Sequence, residues 1–254
     1  MKPLLKPQQI FKLLLCIGLC WPVSSVRADV SYSANAALSF TLDSVVNLNS
    51  ADAGNVSGFS AQAAFQQIAD PSYQTVSGDG YFSANNADIA ATPLLTGFSN
   101  TFSISAVASD GSVDTVHTGS YSLSFFNNSQ DDYTVDLSLN YILNAVASGL
   151  YAGSSVYLDY YYDAGSFSGF DYVSAITPTL GGAADNETQP GTLHYSFTLP
   201  AGASGTFYAD ALISGDLLAT PAPVPAPSAI WQLLGGLLGW IGLSRRVKFT
   251  GRGI

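Results

Sequence analysis

The stretch Tyr133-Thr134-Val135-Asp136-Leu137-Ser138-Leu139-Asn140-Tyr141 decides the fold class. Side chains alternate with a period of two along a strand. Tyr133, Val135, Leu137, Leu139 and Tyr141 therefore share one face, and Thr134, Asp136, Ser138 and Asn140 share the other. A helix would scatter the same residues around its axis. The run before it, Tyr121-Ser122-Leu123-Ser124-Phe125, alternates in the same way. Between the two lies Asn127-Asn128-Ser129-Gln130-Asp131-Asp132, a polar cluster of turn-forming residues, so the pair is expected to form a hairpin.

Working outward, Ala37–Leu42, Thr101–Val107, Val156–Tyr162, Leu193–Leu199 and Thr206–Ile213 read as further strands. Asp110-Gly111, Gly181-Gly182 and Pro200-Ala201-Gly202 separate them as turns. Short alternating strands with Gly-rich turns predict an all-β body over residues 29–219, an antiparallel β-sandwich or jelly roll. Gly54–Pro93 is less regular, and Ala61–Ala69 fits either a short helix or a loop crossing the sheet edge. No repeat of fixed period is visible, which argues against a solenoid or propeller.

The charge map sets this body apart from both ends. Lys2, Lys6, Lys12 and Arg27 lie before it and Arg245, Arg246, Lys248 and Arg252 after it, whereas all eighteen Asp and Glu lie inside. A body with no Lys or Arg repels phosphate backbones and releases no counterions, so nucleic acid is excluded as a partner. It also lacks the guanidinium fork that grips carboxylates, phosphates and sulfates.

Each basic end borders an apolar run. Lys2, Lys6 and Lys12 precede Leu13–Val23, and Val26-Arg27-Ala28 ends the segment with small residues where signal peptidase reads. Residues 1–28 therefore read as a signal peptide, cut between Ala28 and Asp29. The apolar run is short of the roughly 20 residues of a membrane helix. Cys16 and Cys20 are the only cysteines and leave with it, which removes disulfides, zinc–thiolate sites and Cys nucleophiles from the mature chain.

At the other end, residues 220–228 alternate proline with small residues and form an extended linker. Residues 229–244 are apolar except Gln232 and reach roughly 23–26 Å as a helix, a short membrane span. Trp231 and Trp240 suit its two interfaces, and residues 245–254 form a basic tail on the cytoplasmic side.

Val224-Pro225-Ala226-Pro227-Ser228, the Leu/Gly-rich segment Leu233–Gly239 and Arg245-Arg246 occur in the order of the PEP-CTERM sorting tail of Gram-negative bacteria, which this end resembles. The family's usual Glu between the prolines is Ala226 here. The resemblance implies recognition by an exosortase-type membrane peptidase, removal of the helix near the Pro motif, and release or attachment at the surface of exopolysaccharide-producing cells.

Catalytic signatures are absent from the body. There is no H-E-x-x-H, G-x-S-x-G or phosphate loop. His117 and His194, the only histidines, alternate with apolar neighbours and read as solvent-face strand residues. A triad from Asp110 or Asp114 with His117 and a serine has little to specify it.

The most chemical stretch is Tyr157-Leu158-Asp159-Tyr160-Tyr161-Tyr162-Asp163. As a strand it puts Val156, Leu158, Tyr160 and Tyr162 on one face and Tyr157, Asp159, Tyr161 and Asp163 on the other. Rings that stack on sugar C–H faces beside carboxylates that accept hydroxyl protons make a candidate glycan-binding face. Asp159 and Asp163 would stand about 13 Å apart along the strand, long for a glycosidase pair. For calcium, Asn127, Asp131 and Asp132, with Asn128 and Gln130 beside them, offer oxygen ligands on one turn. No other cofactor is implied.

The sequence thus predicts an exported, C-terminally sorted surface or matrix protein that is not an enzyme and associates with exopolysaccharide. The alternative is a carbohydrate-binding module or glycan-acting enzyme using the Tyr157/Asp159/Tyr161/Asp163 face.

Overall fold

The computed structural model describes residues 29–220 apart from 51, 86, 95, 96 and 178–183, with the backbone alone for 70 and 71. The expected signal peptide with Ala28, the expected sorting motif Val224–Ser228, the apolar segment and Arg245 and Arg246 lie outside the described residues. In chain order the strands are β1 (Val30–Asn47), β2 (Phe59–Gly78), β3 (Tyr81–Ala84), β4 (Ile89–Pro93), β5 (Gly97–Ala108) and β6 (Gly111–Asn127). They continue with β7 (Tyr133–Ser148), β8 (Ala152–Tyr162), β9 (Ser168–Ile176), β10 (Asp185–Leu199) and β11 (Ser204–Ala219). No helix occurs among the described residues.

Two antiparallel sheets pack face to face as a β-sandwich. Sheet A runs β10-β7-β1-β5-β3 and sheet B runs β4-β2-β6-β11-β8-β9. Successive strands occupy opposite sheets throughout, and β8–β9 is the single hairpin within one sheet. The expected hairpin between Tyr121–Phe125 and Tyr133–Tyr141 is therefore wrong. Both runs are strands with the alternation read from sequence, but β6 belongs to sheet B and β7 to sheet A. Their apolar faces both point into the one core, but from opposite sheets and not side by side. A period of two says which face of a strand is buried; it does not say which strand lies beside it.

The turn between them is built as an arch. Asn127, 1% exposed, sends its Nδ2 to the carbonyls of Asp131 (2.7 Å), Pro200 (2.8 Å) and Leu199 (3.1 Å), and its Oδ1 accepts from the amide and hydroxyl of Ser129. One buried amide thus ties the β6–β7 arch to the β10–β11 arch and satisfies carbonyls that no ladder reaches.

Ala61–Ala69 is neither helix nor crossing loop. It lies within β2, which pairs with β6 up to Ile68 and again from Tyr73, with the register shifting between. Pro71 falls in that gap, where a missing N–H costs no ladder bond.

Alternate residues of both sheets fill one core, in which Phe40, Phe102, Tyr121, Leu123, Phe125, Leu137, Leu139 and Phe207 are almost wholly buried. Burying each such side chain contributes about 1.5–3 kcal/mol. Glycine has a structural use where the sheets approach closely. At Gly215 an added Cβ would sit 2.3 Å from the ring of Tyr32, and the Tyr32 hydroxyl bonds Thr115 Oγ1 across the sandwich. Burial, its largest cause, pushes the Tyr32 phenol up to about 12.

Candidate ligand-binding face

β8 divides as its sequence predicts. Val156 and Leu158 are fully buried and Tyr162 nearly so, while Tyr157, Asp159 and Tyr161 stand half-buried on the outer face of sheet B. Tyr160, although on the inner face, is only partly covered. Asp163 lies beyond the end of β8. Its Oδ1 accepts the amide of Thr206 at 2.6 Å, closing the strand end, so the fourth residue of the predicted face is engaged in a turn.

Register supplies what the sequence did not. Asp159 faces Asp210 of β11 on one side and Phe170 of β9 on the other; Tyr161 faces Tyr208, and Tyr157 faces Tyr172. The rings pair off: Tyr161 stacks on Tyr208 with centroids 5.0 Å apart and planes 22° apart, and Tyr157 on Phe170 at 5.6 Å and 22°. The outer face therefore carries two stacked aromatic pairs with a pair of carboxylates between them. Surface hollows of about 500 and 480 Å³ lie elsewhere, over sheet A and beside the β2 gap. This face is an open platform.

Its electrostatics follow from the absence of basic side chains. Burial is the first cause that holds the Asp210 carboxyl above its ordinary range, the charge of Asp159 adds to it, and the Ser120 hydroxyl bonded to Asp210 works against it. Burial, then Asp210 and its neighbours, also raise the Tyr161 phenol, which stays a neutral donor and acceptor. A second opposed pair, Asp114 and Asp216, lies on the other side of β11, on its ladder with β6. Burial and then Asp114 raise Asp216. The Tyr157 side of the platform could be read from sequence; Asp210, Tyr208, Phe170 and Tyr172 could not. Tyr208 and Asp210 do share a face by period two, but only pairing brings them to Tyr161 and Asp159.

Asn127, Asp131 and Asp132 of the turn considered for calcium each have a side-chain oxygen engaged by the protein. Asn127 Oδ1 is used by Ser129, Asp131 Oδ2 accepts Asn47 Nδ2 at 2.8 Å, and Asp132 Oδ1 accepts the Ala201 amide at 2.9 Å. As placed, these groups brace the arch. No group of three His, Cys, Asp or Glu suited to a metal ion occurs among the described residues.

The two histidines differ. His194 is exposed, as expected. His117 is not a solvent-face residue: at 6% exposed it lies on the inner face of β6, stacked on Phe82 with centroids 6.1 Å apart. Sequence reading missed this because Thr115, His117 and Gly119, three non-apolar residues, all point inward, where the β2 gap and Gln67 provide polar company. Asp114, three residues away, points outward to Tyr73 and takes no part in a triad with His117.

On sheet A, Ser138 Oγ bonds both Asp43 Oδ2 and His194 Nδ1. Here the serine sits between acid and imidazole. Its proton goes to the carboxylate and the imidazole donates to its oxygen, the reverse of what a histidine general base requires.

No protein-family model matches the chain, and no curated protein is significantly similar to it.

Proposed function

We propose that the protein is exported and sorted to the cell surface or extracellular matrix, where it acts by binding and not by catalysis. The observation that carries this reading is the segregation of all eight Lys and Arg into two apolar-flanked ends around a body with eighteen carboxylates. The PEP-CTERM-like tail, Val224–Ser228 with Arg245 and Arg246, makes an exosortase-type peptidase the expected processing partner, after signal peptidase has cut at Ala28. Intact-mass measurement of the exported protein tests it. A product beginning near Asp29 and ending near the Pro motif is expected, and a chain still ending at Ile254 in cells with an exosortase would refute tail removal.

A second reading concerns what the body binds. The Tyr157–Phe170 and Tyr161–Tyr208 stacks favour a glycan platform, because stacked rings present flat apolar surface while Asp159 and Asp210 accept hydroxyl protons. An anionic exopolysaccharide would meet these carboxylates unfavourably, so neutral chains are the better ligands. Polysaccharide pull-down with Tyr157→Ala plus Tyr161→Ala should lose at least about tenfold in affinity with thermal stability kept. Equal retention by both proteins would reject the platform.

The winding of β5 to β11, with β1 inserted between β5 and β7, supports assigning the sandwich to the double-sheet jelly rolls. That fold hosts many functions, so the glycan reading rests on the residues and not on the architecture.

A further inference from the structure

β9 is an edge strand of sheet B, and an edge strand displays backbone donors and acceptors on which another chain can pair. The donors of this edge are occupied. The amide of Tyr172 donates to Asp171 Oδ1 at 2.8 Å, that of Ser174 to Glu187 Oε2 at 3.1 Å, and that of Ile176 to Asp185 Oδ2 at 3.0 Å. Residues 172, 174 and 176 share one edge by the period of two. Each is thus capped by a carboxylate placed where a neighbouring strand would offer a carbonyl. Asp185 and Glu187 reach over from β10 of the other sheet, which packs beside β9.

Capping alone would suit a strand that must never pair, but the side chains of this strand are not those of a blunted edge. Phe170 is 67% exposed, Tyr172 52% and Ile176 68%. Natural edges are usually protected by Lys, Pro or inward-pointing charge on the strand itself. Asp171 is the one such charge on β9, the other two caps come from β10, and the edge is apolar outside and guarded by groups that can be neutralised.

We propose that the β9 edge is a latent self-association edge: Asp171, Glu187 and Asp185 hold it closed, and once they are neutralised it pairs antiparallel with the β9 edge of a second copy of this chain. The argument for a second copy is charge and symmetry. A body of carboxylates with no Lys or Arg repels itself, and acid that releases the caps removes that repulsion too. An antiparallel pair of identical edges is self-complementary about a two-fold axis. It would join two six-stranded sheets and continue the outer aromatic surface from one copy to the next.

The groups facing this edge all act in one direction. Asp171 is further held by the Tyr141 hydroxyl at 2.8 Å and by Gln189, and Asp159 of β8 lies opposite Phe170. The tyrosines beside it, Tyr141 and Tyr160, have phenols raised first by burial and stay neutral. Acid therefore only removes negative charge here.

The test is sedimentation velocity on the full-length chain in detergent with no glycan present, so its outcome is separate from that of the glycan platform. Asp185→Ala plus Glu187→Ala at about pH 7.5 is expected to raise the dimer association constant by about tenfold or more. Adding Ser174→Pro, which deletes an edge donor, should return it to the wild-type value. Unchanged association in the double variant, or association that survives Ser174→Pro, would overturn the proposal.

An arm without substitutions covers the case in which the variants fail to fold. Wild-type chain brought to about pH 4, near the carboxylate range, should associate and gain amide-exchange protection at Ser174 and Ile176. Failure to associate, or association without that protection, counts against the β9 edge.

Discussion

Asp159 of β8 lies directly opposite Asp210 of β11, two carboxylates on one rung of a sheet whose body contains no Lys or Arg. Directly opposed side chains have Cβ atoms about 4.5–5.5 Å apart, and like charges there are destabilising. The strain in this fold is therefore electrostatic, and it sits on the platform proposed to bind ligand.

Relieving that pair should stabilise the protein. Asp210→Asn keeps an acceptor for Ser120 and removes the repulsion, and a gain of about 0.5–1 kcal/mol at neutral pH is expected from urea unfolding. The pH dependence has a definite sign. Asp210 and Asp216 have folded values raised above 3.8, so the folded state binds protons more readily than the unfolded one. Stability contributed by these two groups is complete below 3.8 and is lost as pH rises through their folded values. The variant should show a smaller loss over that window; identical pH profiles would contradict the account.

His117 should act with the opposite sign in a higher window. Its Nδ1 bonds Gln67 at 2.9 Å and its Nε2 has no partner among the described residues. Burial lowers its pKa below 6.5, so the unfolded chain takes up the proton first. Stability should fall as pH drops through 6.5 toward the folded value and then level off. His117→Gln should flatten that segment of the profile, and a profile unchanged by the substitution would show that the imidazole is not what titrates.

Across the core, Tyr32→Phe leaves Thr115 without its partner from the opposite sheet and should cost about 1–2 kcal/mol. Gly215→Ala drives a methyl into the same ring and should cost roughly 1–3 kcal/mol. Because both act on one contact, the double variant should lose less than the sum, as a double-mutant cycle by denaturant unfolding can read.

At the arch, Asn127→Ala removes a donor shared by three carbonyls, of which Pro200 O keeps the Ala203 amide and Asp131 O the Ser129 hydroxyl, and should destabilise by about 1–3 kcal/mol. Added calcium should not restore the loss if the turn is braced by hydrogen bonds as described. Thermal unfolding with calcium and with chelator separates the two cases, and a large calcium-dependent rise in wild-type Tm would reinstate the metal reading at Asp131 and Asp132.

The buried faces of β6, β7, β8 and β11 were legible because burial alternates along most of their length, and Tyr157, Asp159 and Tyr161 were found for the same reason. Two misjudgements share a different cause. The β6–β7 hairpin and the solvent-facing His117 were both inferred from neighbours in sequence. The chain, however, changes sheet at nearly every turn. Strands β3, β4 and β9 escaped notice because edge strands, with one face and one side in water, carry polar residues that blur the alternation, and β2, inside sheet B, because its pairing with β6 breaks around Pro71.

By itself the sequence determined the class of fold, the face most central strands bury and the segregation of basic charge into the two ends of the chain. Those properties follow from local periodicity and from composition. Tertiary structure alone decided which strands are neighbours. It thereby set Asp210 against Asp159, laid Tyr208 and Phe170 on their aromatic partners, and brought Asp185 and Glu187 to the amides of β9. The physical reason is that sheet pairing is a contact between distant segments, fixed by the collective packing of two faces into one core and not by any residue's local preference.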